Sequence, residues 1–317
     1  MKILKNSNAW KNNHDLTGKK FGLLKVIKFL GFRKLYDKGG KRRSHFLCKC
    51  KCGKQKIVAG IKLHNSQIKS CGFCLIHPKY NIDEAYFEKI NREDKAYMLG
   101  FILTDGTVDD RKNSKRIIIG LDRKDSHILE TFKKYLKTKK PISYTIRKAR
   151  KYKYASYPSK KYSTLSINNV KMQKDIIKLG IKPNKTKTVK FPSNKVIPHK
   201  FMRHFIRGVF DGDGTCAKTK SVRNVSIISG SKNFILGFKK YLKRFGIINT
   251  GITEYKKPIV SGFSYSWNLS IYPSLKRRIR GNTVAENQKR FFNLIYRNCI
   301  KDLYLKRKKE NFVSTLK

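Results

Sequence analysis

Two segments, YMLGFILTDGTV at 97–108 and FIRGVFDGDGTC at 205–216, are variants of one pattern: an apolar run with an embedded glycine that closes in Asp-Gly followed by Thr. Asp105-Gly106-Thr107 thereby corresponds to Asp213-Gly214-Thr215. The match continues downstream in the same order. HILETFKKYLK at 127–137 is echoed by FILGFKKYLK at 234–243, and YSTLSI at 162 by YSWNLSI at 265. A unit of about a hundred residues is too long for a solenoid repeat and suits a small domain, so two pseudo-symmetric domains are expected. Within each, the apolar period switches between near 3.6 and near two. The predicted order is an apolar helix carrying Asp-Gly, strands such as KRIIIGLD or NVSIIS, the amphipathic FKKYLK helix, further strands, and a helix such as the one around MQKDIIKLGI. The class is α+β.

If each Asp-Gly segment is a helix, Gly106 and Gly214 follow its end, where a left-handed glycine is expected. The aspartates then sit in the last turn, where the helix dipole disfavours a carboxylate by roughly 0.3–1 kcal/mol. A divalent cation between the two would reverse that cost. Gly100 with Thr104 and Gly208 with Gly212 are small residues four apart, so one face of each helix lacks bulk and the two helices can approach closely. Side by side they would bring Asp105 and Asp213 together. Oxygen ligands that leave room for water suit Mg²⁺, with Mn²⁺ as the substitute, and Thr104 and Gly212 are assigned to the same metal site.

Five of the seven cysteines crowd into CKCKCGKQKIVAGIKLHNSQIKSCGFC, as Cys48, Cys50, Cys52, Cys71 and Cys74. A Cys-x-Cys pair followed about twenty residues later by Cys-x-x-Cys suits a four-coordinate Zn²⁺ site. Cys50, Cys52, Cys71 and Cys74 are the expected ligands, Cys48 is the weaker candidate, and Gly53 and Gly72 supply tight turns beside them. Buried thiols in an ordinary core are the alternative. Cys216 and Cys299 read as packing residues. Upstream, apolar and basic residues alternate around Asp37-Lys38-Gly39-Gly40, a hairpin signal.

The chain holds 75 Lys and Arg against 20 Asp and Glu, a formal +55. Such a charge repels itself unless a polyanion takes it up, and nucleic acid is the expected partner. No apolar run approaches the roughly 20 residues of a membrane-spanning helix. MKILKNSNAWKNNHD has no apolar core of signal-peptide length, so an intracellular, reducing setting with DNA is expected. The basic stretch YTIRKARKYKYASYPSKKYS is expected to lie in a DNA groove, with Lys148, Arg150, Tyr152 and Tyr154 at alternating positions as candidate DNA contacts. A solvated sheet face is the alternative.

MLGFILTDG and IRGVFDGDG resemble the LAGLIDADG motif of homing endonucleases, and LGIKPNKTKTVKFP followed by FIRGVFDGDG resembles the linking stretch of that family. The resemblance spans roughly residues 85–300. It implies two αββαββα units with DNA-facing antiparallel sheets, and catalytic metals bound by the last acidic residue of each motif, here Asp105 and Asp213. It also implies helix packing by Gly100 and Gly208, and a lysine near the scissile phosphate, here Lys185. Motif one has Leu103 where an acidic residue is common, whereas motif two keeps Asp211. With both motifs in one chain, a monomer that acts as its own pseudo-dimer is implied, cutting both strands of a long, asymmetric double-stranded DNA site with a stagger across the minor groove. Residues 16–75, from LTGKKFGLLKVI to KSCGFC, resemble an N-terminal module of some phage and viral homing endonucleases, with Phe73 as an insertion relative to that module. The expected organisation is a basic tail at 1–15, a zinc-binding β module at 16–80, repeat one at 81–195, and repeat two at 196–317 ending in a basic tail. Two other functions remain open: an RNA-splicing maturase, and a DNA-binding regulator on an inactive nuclease scaffold.

Overall fold

The structure is a computed structural model that describes residues 15–33, 42–72, 80–111, 114–152, 155–218, 223–259, 262–272, 286–300 and 302–316. The chain divides into two compact units, Met1–Lys79 and Tyr80–Lys317.

In the first unit, β1 (Lys20–Phe21), β2 (Leu24–Arg33), β3 (Arg43–Cys50) and β4 (Gln55–Ala59) form an antiparallel sheet in that order, followed by a short helix α1 (Gly60–His64). Among its described residues, Leu24, Val26, Phe46, Cys48, Val58 and Leu63 form a core and are all nearly inaccessible. β2 and β3 pair antiparallel as the hairpin signal requires, and the turn residues Asp37 to Gly40 lie outside the described residues.

The second unit repeats one topology. The first copy runs α2 (Glu93–Asp105), β5 (Gly106–Asp109), β6 (Arg116–Asp122), α3 (His127–Tyr135), β7 (Ser143–Arg147), a ribbon of β8 (Arg150–Tyr152) and β9 (Ala155–Tyr157), β10 (Lys160–Asn168) and α4 (Val170–Lys178). The second runs α5 (His199–Asp213), β11 (Gly214–Lys218), β12 (Arg223–Ser229), α6 (Lys232–Lys243), β13 (Thr250–Ile259), β14 (Gly262–Ile271) and α7 (Glu286–Tyr296). The sheet orders β5-β6-β10-β7 and β11-β12-β14-β13 are the same, so the mixed α+β class and the duplicated antiparallel sheets are as expected.

Period-two patterning builds each sheet: Ile117, Ile119 and Leu121 of β6 are buried while their neighbours stay partly exposed, and Leu165 and Ile167 of β10 pair opposite Ile119 and Ile117. Helix-period patterning covers the buried face. Ile128, Leu129, Phe132 and Leu136 repeat the spacing of Phe234, Ile235, Phe238 and Leu242, and all are buried. Caps start the helices: the Asn169 side chain accepts from Met172 N at 2.8 Å, and Ser231 Oγ accepts from Phe234 N at 3.3 Å.

The two motif helices, α2 and α5, pack on each other. A Cβ on Gly208 would lie 2.1 Å from Tyr97 O, one on Gly100 2.2 Å from Phe205 O, and one on Gly212 2.0 Å from Thr104 Oγ1. At Gly100 and Gly208 backbone touches backbone, and only glycine permits it. Gly100 sits between residues 205 and 209, Gly208 between 97 and 101, and Gly212 against 104 and 105, so the helices run in the same direction and end together.

Gly106 and Gly214 depart from the left-handed expectation. Both are extended, with φ, ψ of −92°, 151° and −74°, 152°. Glycine is needed for space instead: the strand turns straight off the helix, and a Cβ would meet Ile102 O at 2.5 Å or Phe210 Cδ2 at 2.3 Å. The basic C-terminal segment forms a helix, α8 (Lys306–Leu316), with Phe312 fully buried.

Gly208→Ala should therefore cost about 3 kcal/mol or more by urea unfolding, at the upper end of overpacking penalties. Gly120→Ala, whose added Cβ would find its nearest neighbour at 3.8 Å, should leave stability within about 1 kcal/mol by the same principle of available space.

Candidate active site

Because α2 and α5 end together, Asp105 and Asp213 arrive at one place. A Cβ on Gly212 would stand 2.9 Å from Asp105 Oδ2, so the first carboxylate lies against the last turn of the opposite helix, beside Asp213. Thr104 faces Gly212, and its hydroxyl donates to Phe101 O at 2.9 Å. Neither helix carries a basic residue in its last turn, so the dipole's negative end is uncompensated from within.

Both carboxyls are partly buried and titrate high. Burial, then the charge of Asp213, raises Asp105 to about 7. Burial raises Asp213 to about 6 against the opposing pull of Lys308 and Lys185. The two lysines hold equivalent places. Lys185 Nζ donates to Gly106 O and Lys308 Nζ to Gly214 O, each the carbonyl next to its motif aspartate. Burial lowers both amines, and Arg307 lowers Lys308 further.

Lys308 escaped the sequence reading because it sits in the run Lys306-Arg307-Lys308-Lys309, where nothing local distinguishes one cation from its neighbours. The duplication held the only signal: a lysine that follows the last helix of repeat one calls for a counterpart after α7.

Asp211, which has Leu103 as its equivalent in motif one, takes no part in the carboxylate pair. It is 1 % exposed and accepts from Tyr97 Oη at 2.8 Å, Tyr296 Oη at 2.6 Å and Leu305 N at 2.9 Å. Burial pushes its pKa up and these donors oppose the push.

Away from the helix ends, the strands project cations and rings. β7 is exposed along its whole length, and β13 from Thr253 to Ile259. The Arg147 guanidinium lies 3.9 Å from the centre of the Tyr162 ring, and Lys256 Nζ 3.9 Å from that of Phe263. Lys148, just after β7, and Arg150, at the start of β8, are exposed. Tyr152 lies in β8, and Tyr154 is outside the described residues.

In the first unit, the sulfurs of Cys50, Cys52 and Cys71 all lie within 4.8 Å of one another, with Cys52 Sγ 3.5 Å from Cys71 Sγ. Zinc ligated at about 2.3 Å in a tetrahedron holds its sulfurs about 3.8 Å apart, so the spacing fits. Gly53 and Gly72 both adopt φ of +86° beside the cluster. Leu23 joins the two cysteine loops: its N–H donates to Lys69 O at 2.7 Å, and its carbonyl accepts from Lys51 N at 2.8 Å. Cys74 lies outside the described residues. Cys48 turns elsewhere, its thiol 3.8 Å from Phe46 O and raised by burial. Cys216 packs against the large core, where burial lifts its thiol to about 12. Among the described residues, no helix is long and apolar enough to cross a membrane.

The model of the LAGLIDADG-like domain matches the chain twice, over residues 92–190 and 200–296. No curated protein sequence matches it. Among solved structures, the homing endonuclease I-WcaI bound to its DNA recognition sequence is similar at 13% identity, over 71% of this chain and 91% of that one, with a TM-score of 0.44. Full-length DUF199/WhiA from Thermatoga maritima is similar at 20% identity, over 74% and 66%, with a TM-score of 0.40. The I-LtrWI LAGLIDADG homing endonuclease bound to target DNA is similar at 12% identity, over 74% and 90%, with a TM-score of 0.36.

The raised carboxyls carry a stability signature. A carboxyl whose folded-state pKa lies above the ordinary range holds its proton in the folded chain while the unfolded chain has lost it. The contribution of this pair to the stability of the metal-free protein is therefore greatest near pH 4 and is lost as pH rises through about 6 to 7. At pH 8, Asp105→Asn or Asp213→Asn should stabilise the metal-free chain by on the order of 2 kcal/mol, since each pKa unit corresponds to about 1.4 kcal/mol. Thermal melts with a chelator present check this. Adding Mg²⁺ should raise the wild-type midpoint and leave the double Asn variant unmoved.

Proposed function

We propose, from the premise that this chain belongs to the LAGLIDADG-like domain family over more than half its length, that it is a site-specific, divalent-metal-dependent double-strand DNA endonuclease of the homing type. One observation carries the reading: two partly buried carboxylates end parallel helices side by side, with a lysine on each motif carbonyl. A scaffold protein gains nothing from burying two like charges together. A site for a dication does, because the ion's charge outweighs both carboxylates and both helix ends.

Asp105 and Asp213 would hold Mg²⁺ or Mn²⁺. The carbonyls of Thr104 and Gly212 would complete the protein's oxygen set, since last-turn carbonyls have no intrahelical partner. When bound, the cation supplies charge for the leaving oxygen and lowers the pKa of an attacking water. The chain's own groups do the rest. Asp105 and Asp213 must be deprotonated to bind the ion, so activity rises with pH through about 6 to 7. Lys185 and Lys308 present ammonium groups whose direction is fixed by the carbonyls they already hold, suited to phosphate oxygens on either strand. Exposed β7 and β13, Lys148 and Arg150 supply the cationic surface for duplex DNA, for which a formal +55 calls. Because the two repeats differ in sequence, a monomer would read a long, asymmetric site.

For the first unit the reading is a Zn²⁺ site on Cys50, Cys52, Cys71 and Cys74 that stabilises a small β module and adds DNA affinity. Its three described sulfurs have the spacing for it, and a small β module of this kind gains from a metal staple.

Purified protein with Mg²⁺ and a randomised DNA library should yield defined double-strand ends. Asp105→Asn or Asp213→Asn should reduce cutting by at least about 10³-fold, the scale of a lost metal ligand in phosphoryl chemistry, with DNA affinity within about threefold. Full-rate cutting by either variant would falsify the assignment. Wild-type protein that binds DNA without cutting would favour the regulator, and function retained on intron RNA in the Asn variants would favour the maturase. Metal analysis of the purified chain should return one zinc, lost in Cys52→Ser.

A further inference from the structure

We propose that residues 302–308 form a strap that delivers Lys308 to its half of the site, with Asp211, Arg207 and Asp125 as the positioning residues that hold it. The proposal deepens the nuclease reading and rests on it for its catalytic consequence.

The two lysines reach equivalent carbonyls by different means. Lys185 lies in the linker between the repeats, in a 3₁₀ turn (Lys185–Lys187), with chain anchored on both sides by α4 and α5. Lys308 lies in the first turn of α8, after all the repeat's other elements, and the segment before it is pinned by side chains. Asp211 accepts from Leu305 N at 2.9 Å, and Arg207 Nε donates to Leu303 O at 3.2 Å. Both anchors belong to the motif helix α5 and are nearly inaccessible, Arg207 at 0 % and Asp211 at 1 %. Arg207 is itself held by His204 Nδ1 at 2.7 Å and by the Tyr97 ring at 4.9 Å.

The strap's other side rests on the first repeat. Arg307 makes a forked pair with Asp125, at 2.7 Å from Nη2 and 3.2 Å from Nε. The Thr131 hydroxyl donates to Asp302 O at 3.4 Å, and His127 Nε2 is 3.5 Å from Tyr304 O. Leu303 and Leu305 fill the space between, at 0 % and 2 % exposure. A segment satisfied on one side by buried ionic groups and on the other by the opposite repeat has one seat, and the next turn places Lys308 Nζ on Gly214 O. Motif one has no such demand, and apolar Leu103 occupies the position of Asp211.

If each lysine serves its own strand, loosening the strap slows one cut and spares the other. The test uses the full chain with Arg307→Ala, Asp125→Ala and the exchanged pair Arg307→Asp with Asp125→Arg. Amide exchange at 303–316, measured without DNA or metal, should speed by about tenfold or more in each single variant and return toward wild type in the exchanged pair, as for a locally released segment. On a supercoiled plasmid carrying the site recovered from the library, the single variants should accumulate nicked circles, with one strand slowed about tenfold, a loss of about 1.4 kcal/mol, and DNA affinity unchanged. Lys308→Met should show the same strand bias with normal exchange. Exchange unchanged by Arg307→Ala overturns the strap, as does equal slowing of both strands. Wild-type protein that cuts nothing, with exchange still released in the single variants, refutes the nuclease reading and supports the strap.

Discussion

The contact between two glycine-bearing helices governs this molecule. At Gly100 and Gly208 the backbones of α2 and α5 meet, with carbonyl oxygens where side chains would be. Close approach of two parallel helices fixes the separation of everything at their ends. It also aligns two helix dipoles with their negative poles together, beside two aspartates. The arrangement is electrostatically unfavourable in the apo chain, and the high titration of Asp105 and Asp213 expresses that strain. Stability is given up at the site and recovered in the cores that sheet and helix bury behind it, a pattern suited to binding a cation rather than to holding the fold together.

The polar groups buried behind the motif helices have a different purpose. Asp211 and Arg207 lie within two turns of Asp213 on the same helix, yet both look away from it, toward the backbone of residues 303–305. Each is almost completely desolvated, so each is costly unless its partners stay in place. They fix residues 303–305 against α5, and with them the turn that seats Lys308 on Gly214 O. The two halves of a duplicated fold thus reach equivalent lysine–carbonyl contacts through unlike supports: a covalent linker around Lys185, and a clamped strap around Lys308.

Much of this was legible in the chain. The matched order of motif helix, strands, FKKYLK helix and YS-LSI strand implies the same topology twice, because period-two and period-3.6 patterns specify faces wherever they occur. Gly100 and Gly208 marked a close helix crossing through their spacing with Thr104 and Gly212. The aspartates stood out because a carboxylate at a helix C-terminus is disfavoured, and the chain has it twice. Other features were not legible. Gly106 and Gly214 looked like left-handed caps, since that is glycine's commonest use after a helix, but the space beside Ile102 and Phe210 is what demands them. Lys308 was hidden among four consecutive cations, and nothing near Asp211 in the sequence indicated that its partners would be Tyr97, Tyr296 and Leu305.

Local patterning determined the elements, their order, their buried faces and the duplication, because those depend on neighbours within a few residues. Which charges share a place was decided only in three dimensions. Lys185 and Lys308, or Asp211 and Leu305, stand some ninety residues or more apart in sequence, and no periodicity relates them. Their meeting depends on how two closely packed helices orient the sheets and the chain end around them. That is a property of the whole packed unit, in which burial sets both the pKa of each acid and the partner each buried group must find.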